Sequence, residues 1–159
     1  MSFLDIDERL IALSEKVDLV YSPLVDAKIF PENVDVTLVE GAVSSEEDLH
    51  KIQIVRERTR TLVSLGDCAV TANVPGMRNP FKVEAIYDRA YRENVTLDPG
   101  TPNEVVPALL PQSRPIHEVV QVDVFVPGCP PSADVIFYVL SELLEGRQPD
   151  ISSRTRFGA

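Results

Sequence analysis

Residues 34–69 read VDVTLVEGAVSSEEDLHKIQIVRERTRTLVSLGDCA, and this stretch decides the fold. Its opening, Val34–Val39, is rich in β-branched side chains and lies between Pro31 and Gly41, which marks a buried strand. Ser44 with Glu47 three residues later matches a capping box. From Ser45 to about Arg60, Leu49, Ile52 and Val55 fall on one helical face. Thr61–Gly66 supplies the next strand. A helix between two strands implies parallel pairing, because a crossover and not a tight turn joins parallel neighbours.

On the amino-terminal side, Phe3–Glu15 carries Leu4, Ile6, Leu10, Ile11 and Leu13 among charged residues and suits an amphipathic helix, with Ile6 off the main stripe. Val17–Tyr21 then reads as a short strand. On the other side, a loop runs from Asp67 to Pro80 and a helix from about Val83 to Arg92. Prolines 99, 102, 107, 111 and 115 break the chain as far as His117, a segment expected to wrap the surface without a core of its own. Val119–Val126 reads as the last strand. Ser132 caps a final helix reaching Glu145, Gly146 stops it, and the tail after Arg147 is expected to be frayed or partner-bound. The result is an α/β chain: a flavodoxin-like open parallel sheet with helices on both faces, formed by residues 1–159 as one domain.

Composition narrows the partners. Twenty-five carboxylates against fifteen Lys and Arg leave a net charge of −10, which repels nucleic acid and anionic lipid. The longest apolar runs, such as 133–140, fall far short of the roughly 20 residues that span a bilayer. Met1–Glu8 carries acid where a signal peptide carries base, so a cytoplasmic, soluble protein without membrane insertion is expected.

Cys68 and Cys129 are the only cysteines. One bridge, two buried thiols or two metal ligands fit that count. Their placement favours ligands or a redox pair over inert thiols. Glu40-Gly41, Gly66-Asp67-Cys68-Ala69 and Pro127-Gly128-Cys129-Pro130-Pro131 each follow a strand, and sites in open parallel sheets form at the carboxyl edge. Gly41, Gly66 and Gly128 would let backbone approach a bulky inorganic group, while Pro127, Pro130 and Pro131 would fix the Cys129 turn. Glu40 would accept hydrogen bonds from loop amides or satisfy its own turn. Asp67 would more often point away from Cys68 than tune it. Arg78 and Asn79 are interface candidates in a solvated loop, and His50 and His117 lack a second ligand at metal spacing.

The elements Gly66–Ala69 and Val126–Pro131 together resemble the electron-transfer small subunit of [NiFe] hydrogenases and the 20 kDa-type subunit of respiratory complex I. Ser2–Glu8, Leu38–Val43, Asn73–Asn79 and His117–Val120 are more specifically similar to the small subunit of the bidirectional, NAD-reducing cytoplasmic hydrogenase, a likeness covering nearly the whole chain. The resemblance implies a [4Fe-4S] cluster on four thiolates, beside a [NiFe] hydrogenase large subunit and feeding diaphorase subunits. Cys68 and Cys129 match the third and fourth ligands. In the family, a Cys-x-x-Cys loop after a first strand supplies the others, and the likeness begins almost directly behind it. The chain is therefore expected to be amino-terminally truncated, to lack that strand from its sheet, and to be poorly stable alone. Three other readings remain open: a complex I-type subunit on a quinone pathway, a cluster-free flavodoxin-like module that docks or binds FMN, and a Cys68–Cys129 redox disulfide.

Overall fold

Residues rich in β-branched and apolar side chains form strand β1, Val34–Val39, and strand β3, Thr59–Leu65, and the two pair in parallel, Val34 opposite Thr59 and Val39 opposite Ser64. The computed structural model describes residues 4–22 and 27–158. Val124–Val126 forms β5 and pairs in parallel with β3, Leu65 opposite Val126, giving the order β1-β3-β5. The central strand is the best buried: Leu62 and Val63 point to opposite faces and both are fully buried.

The two faces have separate cores. Leu62 packs with Val43, Ile52, Ala69 and Ile116 beneath helix α2, Glu46–Arg58. On the opposite face Val63, Val124 and Val126 pack with Val135 and Val139 of helix α6, Ala133–Leu144. Helices on both faces of a parallel sheet are the α/β arrangement that the alternation implies. Among the described residues, no helix is long and apolar enough to cross a membrane.

Local chemistry sets the ends. α2 is capped by Ser45, one residue past the expected Ser44: its hydroxyl accepts from the Asp48 N–H and the Asp48 carboxylate accepts from the Ser45 N–H. The box closes three residues from the cap, so moving the cap moves the partner from Glu47 to Asp48. Ser132 caps α6 as expected, accepting from the Val135 N–H. Gly146, at φ +70°, ends it; its N–H donates to Leu143 O and that of Arg147 to Glu142 O, a Schellman cap.

Several expectations are corrected. The expected helix over residues 3–15 narrows to α1, Arg9–Ser14, because Asp7, at φ +55°, separates it from a 3₁₀ turn at Leu4–Ile6, and Ile6, expected off the main stripe, is buried from that turn. Val17–Tyr21 is not a strand: no strand among the described residues pairs with it, and Val17, Leu19 and Val20 are exposed. Alternation without a neighbouring strand has nothing to hydrogen-bond. Val119–Val126 contributes only its last three residues to the sheet. Val119, Val120 and Val122 are apolar because they pack on the α2-side core after a 3₁₀ turn at Ile116–Glu118. The expected helix from Val83 narrows to α5, Val83–Asp88, followed by a π turn at Arg89–Glu93.

The proline-rich segment hides β4, Leu109–Arg114, antiparallel to β2, Val43–Ser45. This ribbon tolerates Pro111 because each of its strands has a free edge among the described residues. Leu110 packs on the α2-side core, so the segment is not merely a wrap.

Candidate functional site

β3 and β5 leave the sheet side by side, and their carboxyl ends carry the two cysteine turns. Hydrogen bonding continues past the strands: the Gly66 N–H donates to Val126 O at 2.7 Å and the Asp67 N–H to Gly128 O at 2.8 Å. Helix α3, Asp67–Thr71, then starts with Cys68 half-buried in its first turn. Cys129 stands exposed on the opposite turn. Ala72, buried and left-handed at φ +60°, turns the chain into a second short helix, α4, Asn73–Gly76. The Asn73 amide Nδ2 then lies 4.0 Å from Cys129 Sγ. The sequence thus brings both cysteine turns to one edge, as their position after parallel strands requires.

The residue that sequence reasoning undervalued is Asp67. It is 1 % exposed, and its side chain reaches the other cysteine turn. Oδ1 accepts from the Gly128 N–H and Oδ2 from the Gly158 N–H, each at 2.7 Å. The signal available in the sequence was a lone acid between Gly66 and Cys68 after an apolar strand, where only a carboxylate with dedicated donors tolerates burial.

The tail is likewise docked and not frayed. Thr155 Oγ1 donates to Pro127 O at 2.6 Å, the Arg154 guanidinium stacks 3.8 Å from the Tyr138 ring centre, and Ile151 packs on the α6-side core.

The glycines divide by role. At Gly128, φ +140°, a Cβ would sit 2.6 Å from Pro131 Cα, so the turn itself excludes any side chain. Gly66, φ +83°, faces Gly128 O and Pro131 at ordinary contact distance. Both serve the packing of one turn on the other. Gly41, φ +78°, faces open space, and Glu40 is exposed with no hydrogen bond or ion pair among the described residues. Glu40 therefore satisfies neither loop amides nor its own turn here. The Cys129-Pro130 peptide is cis, with Pro130 exposed and Pro131 buried.

Arg78 and Asn79 are internal rivets and not solvated loop residues. Arg78 donates through Nε to Ser113 Oγ and through Nη2 to Ser44 O and Leu110 O, and Asn79 exchanges two hydrogen bonds with the Ser113 backbone. They bind the loop after Cys68 to the β2-β4 ribbon. His117 is exposed and meets Phe125 edge-on at 5.6 Å.

Two thiols on rigid, glycine-bearing turns, with a side-chain amide near one sulfur, form a soft donor set that fits an iron–sulfur cluster in kind. They are two ligands of the four such a cluster takes, and among the described residues no group of three His, Cys, Asp or Glu is placed to hold a metal ion.

An open parallel sheet with two cysteine turns at its carboxyl edge defines the class: an α/β chain that presents a pair of thiols at its site edge. More particularly, residues 1–143 match the family described as NADH ubiquinone oxidoreductase, 20 Kd subunit, and the chain belongs to that family. It is 44 % identical over 158 residues to the NAD-reducing hydrogenase HoxS subunit delta of Cupriavidus necator, spanning 96 % of this chain and 76 % of that one. It is 32 % identical over 149 residues to the sulfhydrogenase 2 subunit delta of Pyrococcus furiosus, covering 94 % of this chain and only 58 % of the relative. A chain in the crystal structure of an NAD+-reducing [NiFe]-hydrogenase in the H2-reduced state superposes with a TM-score of 0.93 at 41 % identity, over 99 % of this chain and 90 % of that one. The chain is a hydrogenase-small-subunit-like protein.

Proposed function

We propose that this chain is the electron-transfer subunit of an NAD-reducing [NiFe] hydrogenase, cytoplasmic and working beside a catalytic large subunit and diaphorase subunits. One observation carries the reading: Cys68 and Cys129, sixty-one positions apart, sit on adjacent turns that are hydrogen-bonded to each other. In this reading Cys68 and Cys129 hold part of a [4Fe-4S] cluster, with the other two thiolates supplied from outside this sequence. The cluster, when bound, accepts and passes single electrons.

The chain's own residues build the seat. Gly66 and Gly128 let the two turns touch, Pro131 packs beneath Gly128, and Asn73 offers an amide donor near the Cys129 sulfur. Such donors orient a ligand and tune what it holds. Val74, Met77 and Phe81 extend from Asn73 as exposed apolar residues, which supports docking of a partner subunit on this side. The chain performs no bond chemistry itself in this reading.

The test is Cys129→Ala in the assembled complex, with Cys68→Ala beside it. Iron content and the electron paramagnetic resonance signal of the cluster are expected to fall, and hydrogen-dependent NAD reduction to drop by more than about 100-fold, since an electron relay has no bypass. Unchanged iron and unchanged activity would remove both cysteines from the ligand set.

A further inference from the structure

Three segments far apart in the sequence meet at one carboxylate. Asp67 follows β3, Gly128 follows β5, and Gly158 belongs to the tail, yet both glycine N–H groups donate to Asp67, at Oδ1 and Oδ2 respectively, and the Asp67 N–H returns a bond to Gly128 O. The carboxylate is buried and has no Lys or Arg partner among the described residues. Burying such a group costs several kcal/mol of hydration, and its backbone donors offset part of that cost. A neutral side chain would join two turns at a smaller cost, so the choice of an acid calls for a reason beyond joining them.

Its position supplies one. Asp67 is the residue before Cys68, and it holds the amide of the residue before Cys129. We infer that Asp67 is the positioning residue of the thiolate pair: it fixes the spacing of the two turns, seats the tail against them, and sets a negative charge beside whatever the thiolates hold. The inference rests on the reading of Cys68 and Cys129 as ligands. Thr155, bonded to Pro127 O, pins the tail to the same turn from the other side.

Both oxygens face N–H donors, so neither obvious replacement is neutral. Asn would set its own amide N–H against one of them and remove the charge, and Glu would carry an extra methylene in a closed space. The tail has a mirrored dependence: without Gly158, Oδ2 loses its donor.

The experiment uses the assembled complex with Asp67→Asn and, separately, with residues 157–159 removed. Amide hydrogen exchange at Gly128 and Gly158 and the midpoint potential of the cluster are read together. In Asp67→Asn, exchange at both glycines should quicken by at least about 10-fold, and the potential should move to more positive values as the nearby negative charge is lost. The tail-deleted form keeps the charge, so Gly128 exchange should quicken less and the potential should stay closer to that of the parent.

An Asp67→Asn complex that retains its iron with the parent potential and spectrum overturns the inference, as does one in which Gly158 keeps its protection. If Asp67→Asn does not assemble, the tail-deleted form decides, and Gly128 exchange equal to the parent overturns the inference. Cys129→Ala separates the two ideas: it should shed iron while Gly158 stays protected. If it keeps its iron, the ligand reading falls, and the exchange data still judge the clasp.

Discussion

Two turns that each follow a parallel strand lie on the carboxyl edge of the sheet, and they look alike in sequence. Val39-Glu40-Gly41 and Leu65-Gly66-Asp67 both end an apolar strand with an acid and a glycine, the order reversed. In the fold they differ completely. Glu40 is exposed and unbonded among the described residues and Gly41 faces open space, whereas Asp67 is buried in a clasp and Gly66 packs toward Gly128 and Pro131. A glycine after a strand says that the backbone turns. Whether the turn is part of a site depends on whether a second segment closes on it, as the β5 turn and the tail do on Asp67.

The comparison can be broken most forcefully at Gly128. Gly128→Ala places a methyl 2.6 Å from Pro131 Cα at φ +140°, where backbone cannot give way, and should cost about 3 kcal/mol or more in urea unfolding. Gly41→Ala meets no atom and carries only the left-handed backbone penalty, so about 1–2 kcal/mol is expected in the same measurement. Equal costs at the two glycines would erase the distinction between an open turn and a closed one.

A smaller test sharpens the contrast from the other end of the strands. There the Asp123 carboxylate accepts from the Leu62 N–H at 2.7 Å and pairs with Arg56 at 2.6 Å. Burial pushes this carboxyl up, but the Leu62 N–H and the Arg56 guanidinium together outweigh it and hold it below the ordinary carboxylate range. A depressed folded value means that the stabilisation is present above the unfolded carboxylate's range and is lost as pH falls through the folded one. Asp123→Asn should therefore lower stability at pH 7 by less than about 1 kcal/mol, the pair being partly solvated, and the gap from the parent should close below about pH 4. Thermal unfolding of both proteins at the two pH values checks it.

Much of this was legible. α2 and α6 follow from period and caps, because each buries one face against the sheet, and β1 and β3 follow from their β-branched and apolar runs, because helices cover the sheet on both faces. The convergence of Cys68 and Cys129 followed from topology alone. What escaped depends on partners distant in sequence. Val17–Tyr21 reads as a strand and has no partner strand among the described residues. β4 is strand only because β2 lies beside it, Arg78 and Asn79 look solvated until the ribbon that bonds them is folded into place, and Asp67 shows no partner until Gly128 and Gly158 reach it. Periodicity reports the face an element buries; it is silent about which remote amide or hydroxyl will claim a polar side chain.

The docked tail bears on how the protein is handled. An affinity handle fused after Ala159 would begin next to Gly158, whose N–H is held by a buried carboxylate at the heart of the two cysteine turns. A bulky group joined there should compete with that seat and loosen the clasp around Asp67.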